Sequence, residues 1–202
     1  MADQTPRGTR PDPFAQLGIP PRYAVDPAEL ERAFFERSKE LHPDRFAAAP
    51  AAERVAALSK ARALNDAYAL LRRDASRAEH LLAREGITIG DNERIDPELV
   101  MALLEEREQL AEARGAGELR EVERLAAAMR ARRREALDRV AALFAAAEGS
   151  AGDARSSAAR ASSPSAPPDV RAQHLAGIKQ QLILLRYVDR YLEECDAALD
   201  ED

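Results

Sequence analysis

One cysteine and no tryptophan stand in a chain of 202 residues. Cys195 alone can form no intrachain disulfide, nor a cysteine-based zinc or iron–sulfur ligand set. The histidines His42, His80 and His174 lie far apart without metal-type spacing, so neither a metal site nor a cofactor is expected. Aromatic residues make up only 4 %, no basic face interleaves with them, and the net charge is −6, so nucleic acid is not an expected partner. No apolar run approaches the roughly 18 to 20 residues that span a bilayer. The opening "MADQTPRGTRPDP" carries neither the apolar segment of a secretory signal nor the amphipathic pattern of a transit peptide. The expectation is a cytoplasmic protein that meets no membrane. A nucleophile–base pair and a phosphate-binding glycine loop are also missing, so the chain does not read as an enzyme.

Strand-type alternation is absent too, and what is present is helix. Alanine, leucine, glutamate and arginine dominate, and the fold class is all-α. After a short helical turn in "DPFAQLGIP", Asp26 and Pro27 supply an N-cap and a first-turn proline. The helix at 27–42 that follows puts Leu30, Ala33, Phe34, Ser38 and Leu41 on one stripe. A second helix, over 51–72, does the same with Val55, Leu58, Ala61, Leu64, Tyr68 and Leu71. Joined by a short loop, the two should pack as an antiparallel hairpin. "DASRAEHLLARE" forms a shorter helix before the glycine-containing stretch "GITIGDNERID". Three longer helices, at about 97–113, 117–147 and 170–199, make a bundle. The resulting division is a disordered N-terminus at 1–11, a hairpin domain at 12–85, a linker at 86–96 and a three-helix bundle at 97–202. Residues 149–168, rich in Ala, Ser and Pro, read as a flexible insertion in the bundle.

At the hairpin's bend stands "LHPDRF". His42, Pro43 and Asp44 suit a helix stop, because histidine favours the negative helix end, proline forbids continuation and aspartate suits a turn. They equally suit an exposed site, since no core demands them at a hairpin tip. The tripeptide between two antiparallel helices, with "NDAYALL" on the second, resembles a J domain. One branch fits more closely, the HscB-type co-chaperones of iron–sulfur cluster assembly. It is carried by "DPFAQLGIPPRYAVD", "LHPDRF", "RAEHLL" and "MALLEEREQL" in that order, and covers about 12–148 and 170–199. The resemblance implies that His42, Pro43 and Asp44 engage a DnaK/HscA-type ATPase chaperone and stimulate its hydrolysis. Asp44 offers a bidentate acceptor to an arginine of that partner, and Arg32, Arg37, Lys39 and Arg45 add steering. Glu29, Glu31, Glu36 and Glu40 interrupt the basic surface usual on this helix.

A second feature lies on "PELVMALLEEREQLAEA" (97–113). Leu99, Leu103 and Leu110 share one face, while Val100, Met101 and Leu104 fall opposite with Glu105, Glu108 and Glu112. The last helix repeats this, with Leu175, Ile178, Leu182, Leu185 and Leu192 on a core stripe and Ile183, Leu184, Tyr187 and Tyr191 on another side. Periodicity leaves two readings open, a docking surface or further burial. The HscB resemblance implies the first, with the scaffold protein IscU bound through Val100, Met101, Leu104, Glu105, Glu108, Glu112 and Tyr187. Val100 stands where the pattern has a leucine, and Tyr187 where it has a phenylalanine. A J-domain co-chaperone serving another client is the alternative. "RARRRE" (130–135) reads as a solvated face.

Overall fold

The computed structural model describes residues 11–90, 93, 97–157 and 170–200. Its helices are α1 (Pro13–Leu17), α2 (Pro27–Glu40), α3 (Ala51–Arg72), α4 (Asp74–Arg84), α5 (Pro97–Ala116), α6 (Leu119–Ser157) and α7 (Val170–Asp200), with a 3-10 turn at Pro43–Phe46. No strand occurs among the described residues. Contacts divide the chain into two compact units, Met1–Arg77 and Ala78–Asp202. Residues 78–85 therefore group with the second unit, ahead of the expected linker. Helix α6 continues to Ser157, through the first part of the segment expected to be a flexible insertion. The remainder of that insertion, 158–168, lies outside the described residues, as do residues 1–10 of the expected disordered N-terminus.

In the first unit, α1 ends on Gly18 at φ 72°, a left-handed turn that favours glycine. There the N–H groups of Gly18 and Ile19 donate to the Ala15 and Phe14 carbonyls at 3.2 and 3.1 Å. Asp26 caps α2 by accepting from the Ala28 N–H at 3.0 Å, and Pro27 takes the first position, where its missing N–H is not needed. Helix α2 buries Leu30, and Phe34 stacks on Tyr68 of α3 with ring centroids 4.3 Å apart. Helix α3 faces the core with Ala57, Leu64, Ala67 and Leu71. Val55 and Leu58, expected on that stripe, are instead 63 % and 57 % exposed. The true stripe runs through Ala57, Leu64 and Leu71 at seven-residue steps, and its first member is a small residue that hydropathy underweights.

The second unit is organised around α6 and α7, which run antiparallel. Arg133 bonds Asp189 at 2.7 Å, Arg130 bonds Asp196 at 2.8 Å, and Gly177 faces Leu143. A Cβ on Gly177 would come within 3.2 Å of the Leu143 side chain, which would have to give by a few tenths of an ångström. Helix α5 runs parallel to α7, with its register set where the Tyr191 O–H donates to the Glu106 carbonyl at 3.0 Å and Arg107 pairs with Glu194. Leu110, Val122, Ala126, Met129, Val188, Tyr191 and Cys195 form the shared core. The "RARRRE" run is not simply a solvated face. Arg130, Arg132 and Arg133 bridge to Asp196, Glu106 and Asp189 on the neighbouring helices, because acidic partners outside the run come within reach. Ile183 and Tyr191 are only 3 % exposed and belong to the core, whereas Tyr187 stays 44 % exposed. Two of the four residues expected on the outer side of α7 are thus covered, since α5 and α6 both pack on that helix.

Residues 79–90 and Glu93 are pinned to α7. Arg171 grips Glu85 with two bonds of 2.8 Å, and Lys179 meets Glu93 at 2.9 Å. Arg186 reaches Glu79 at 3.2 Å and donates to the Gly90 carbonyl at 3.2 Å. The hydrogen bonds from Arg171 hold the Glu85 carboxyl below its ordinary value of 4.5. The Gly90 N–H and Lys179 do the same for Glu93. A carboxyl whose folded pKa is depressed gives stability that is present above the ordinary value and lost as pH falls through the depressed one. Glu85→Gln is therefore expected to lower the unfolding temperature at pH 7, with the gap to the parent chain closing below pH 4.5. Thermal melts of both proteins across that range check this, and a gap that persists in acid contradicts it.

Candidate functional sites

The hairpin tip is built by three successive stops. Helix α2 ends at Glu40, Leu41 donates its N–H to the Ser38 carbonyl at 3.2 Å, and His42 turns extended before the Pro43–Phe46 turn. His42 Nδ1 accepts from the Asp44 backbone N–H at 3.3 Å and lies 3.5 Å from Asp44 Oδ2. Both side chains point into solvent, 59 % and 88 % exposed, so nothing in the core explains them. The tripeptide thus forms a helix stop and, in the same turn, presents an open carboxylate.

Of the four surrounding cations, two are partly spent within α2. Arg37 pairs with Glu40 at 3.3 Å and Lys39 with Glu36 at 3.0 Å, while Lys39 also sits 4.2 Å from the Phe35 ring centre. Arg32 donates to the Ala28 carbonyl at 3.2 Å. The Arg45 guanidinium makes no bond with any described residue, which leaves it the least compensated charge beside Asp44. Sequence reasoning missed Phe35, Val55 and Leu58 as exposed apolar residues on the two helices leading to and from this turn.

On α5 the two faces separate from Met101 onward, while Leu99, expected on the bundle face, is only half-buried. Leu103 and Leu110 are buried at 7 % and 2 %, while Met101 and Leu104 stand 59 % and 50 % exposed, with Val100 half-buried between. Glu105, Glu108 and Glu112 are exposed and make no ion pair with any described residue. Glu106, on the inner side, bonds Arg132 at 3.0 Å; burial pushes its carboxyl up while Arg132 pulls it down. Because α5 and α7 are parallel with Tyr191 level with Glu106, Tyr187 one turn earlier comes level with the Leu103–Leu104 turn. Burial pushes the Tyr191 phenol up to about 12, so it remains a neutral donor and holds that register. The arrangement is an apolar strip with free carboxylates along one edge, and it offers association rather than bond chemistry. Among the described residues no group of three or more His, Cys, Asp or Glu could hold a metal, and no helix is long and apolar enough to cross a membrane.

Comparison with known proteins bears on these sites. The family signature described as the HSCB C-terminal oligomerisation domain matches residues 95–196, half of the chain. The co-chaperone protein HscB homolog of Azoarcus sp. (strain BH72) is 38 % identical over 113 residues, 55 % of this chain and 64 % of that protein. Its counterpart in Vibrio vulnificus (strain YJ016) is 41 % identical over 101 residues, covering 49 % of this chain and 59 % of the relative. The chain thus matches about three fifths of the length of these curated relatives. Two solved structures share the fold. Chaperone HscB from Vibrio cholerae superposes with a TM-score of 0.71 at 24 % identity, over 94 % of this chain and 98 % of that one. The human co-chaperone protein HscB gives 0.72 at 23 %, over 97 % and 85 %.

Proposed function

This chain belongs to the HscB co-chaperone family, and from that premise we propose that it serves iron–sulfur cluster assembly by bringing a scaffold protein of the IscU type to a DnaK/HscA-type ATPase chaperone. The first unit acts as a J domain. His42, Pro43 and Asp44 engage the ATPase, with Arg45 as the principal steering charge and Arg32, Arg37 and Lys39 secondary. The second unit holds the scaffold on Val100, Met101, Leu104 and Tyr187, framed by Glu105, Glu108 and Glu112. Hydrolysis takes place on the partner, and this chain raises the effective concentration of client at the ATPase. We place the activity in the cytoplasm, where a reducing medium keeps a free thiol such as the buried Cys195 intact.

The observation that carries the client assignment is the exposure of Met101 and Leu104 on a helix whose opposite face is buried. Two large apolar side chains next to unpaired carboxylates are an unexplained cost unless a partner covers them. Met101→Ala and Leu104→Ala are each expected to weaken binding of an IscU-type scaffold by about tenfold, the size of a modest interface anchor. Titration calorimetry checks this. Glu108→Ala should mainly slow association and flatten its salt dependence, as rim charges do. Unchanged affinity in both apolar variants would sink the scaffold assignment.

A further inference from the structure

Beside Tyr187 lies a cavity of about 260 Å³, lined by Ile89, Gly90, Glu93, Ile183, Arg186, Tyr187 and Arg190. It falls short of the roughly 300 to 1,000 Å³ of small-molecule sites, and its size suits a single side chain better than a cofactor. Ile183, 3 % exposed, forms part of its apolar lining with the half-buried Ile89 and the exposed Tyr187 ring. The far wall is the pinned segment, with Gly90 held at its carbonyl by Arg186 and at its N–H by Glu93, 2.9 Å away. The wall is therefore fixed at several points rather than loosely closed.

Of the three charged side chains at the mouth, the two other than Arg190 are answered among the described residues. Arg186 is answered by Glu79 at 3.2 Å, and Glu93 by Lys179 at 2.9 Å. Arg190 is exposed, one turn from Arg186, and bonds to no described residue. A cavity lined on one side by Ile89, Ile183 and Tyr187 and on the other by charged side chains, with Arg190 unpaired among the described residues, fits an occupant that carries an apolar side chain and a carboxylate close together. We infer that this cavity is a second anchor point for the scaffold protein, taking an aliphatic or methionine side chain against Ile89, Ile183 and Tyr187 while Arg190 pairs with a neighbouring Asp or Glu of the client. This rests on the scaffold reading above and extends the contact from the α5 strip past Tyr187 to the segment before α5. It also gives the client surface charges of both signs, acidic along α5 and basic at α7, which fixes the orientation of the client and not only its attachment.

Calorimetric titration of an IscU-type scaffold into the full chain tests this with three variants. Arg190→Glu reverses the unpaired charge on an exposed position, Ile89→Trp fills the cavity, and Leu104→Ala reports on the α5 strip. Arg190→Glu and Ile89→Trp are each expected to weaken binding about tenfold, and Arg190→Glu to change its salt dependence, with unfolding temperatures near that of the parent chain. If Leu104→Ala weakens binding while Arg190→Glu leaves it unchanged, the second anchor is overturned and the scaffold reading stands. Should Ile89→Trp unfold, Arg190→Glu alone decides the matter, because its side chain lies at the surface. Parental affinity in all three variants, or no binding by the parent chain, overturns both.

Discussion

Replacing Asp44 with asparagine is expected to abolish stimulation of a DnaK/HscA-type ATPase while leaving thermal unfolding where it was. The two halves of this outcome have one origin. The Asp44 side chain is 88 % exposed and lies 3.5 Å from His42 Nδ1, equally a residue of the tip. Asparagine keeps the size and the backbone N–H that bonds His42 Nδ1, so the turn survives. What disappears is the charge and one acceptor oxygen, which an arginine fork on the partner needs for two parallel bonds. Losing a desolvated, charge-assisted pair at an interface costs about 2 to 5 kcal/mol, a factor of thirty or more in the productive complex. Steady-state phosphate release at fixed chaperone concentration reads this directly. Retained stimulation would reduce the tripeptide to a helix stop.

Arg77→Met is expected to be the most destabilising single change in the first unit. Arg77 is the one charged residue found buried among those described, at 6 % exposure. Its Nε donates to the Tyr23 carbonyl at 2.8 Å and its Nη1 to the Leu71 carbonyl at 2.6 Å. Nη2 pairs with Asp74, and the guanidinium lies 5.0 Å from the centre of the Tyr23 ring. One side chain therefore ties the loop before α2, the end of α3 and the start of α4. Methionine fills similar space but removes every one of these bonds. The Tyr23 carbonyl keeps only the Val25 N–H at 2.9 Å, while the Leu71 carbonyl and the Asp74 carboxylate lose the guanidinium. At about 1 to 3 kcal/mol for each partner so deprived, the cost is about 3 kcal/mol. Lysine does not rescue it, because a single ammonium cannot reproduce the fork. The check is the denaturant midpoint of the first unit, followed by hydrogen exchange at α2 and α3 amides. An unchanged midpoint would mean that the three segments are held by apolar packing alone.

The hairpin was legible in the sequence because its signals are local. Asp26 and Pro27 start α2 where expected, the His42–Asp44 run ends it, and α3 spans Ala51–Arg72. The open carboxylate at the tip and the exposed Met101 and Leu104 were legible for the same reason, as residues that local geometry leaves over. Val55 and Leu58 were misjudged since a stripe drawn through large side chains passed over Ala57, whose small size allows close approach and which is 5 % exposed. Tyr187 stays exposed as the resemblance implied, but the burial of Ile183 and Tyr191, expected beside it, was not legible. Each carries a large apolar body, and only the arrival of α5, α6 and the Ile89–Gly90 segment decides which remain outside. The arginines at 130–133 behaved likewise, reading as surface until acidic residues from α5 and α7 met them. Periodicity tells which face is apolar, whereas the number of neighbours a face receives is a property of the tertiary fold.

If one chain couples a client to an ATPase, the two must be felt in a single assay. The measurement is steady-state ATP hydrolysis by a DnaK/HscA-type chaperone with this protein present, with and without an IscU-type scaffold. The expected result is stimulation by the protein alone and a further rise on adding scaffold, with Leu104→Ala losing only that further rise. Stimulation that is indifferent to the scaffold would contradict the coupling, and with it the reading of the α5 surface as the place where client is held.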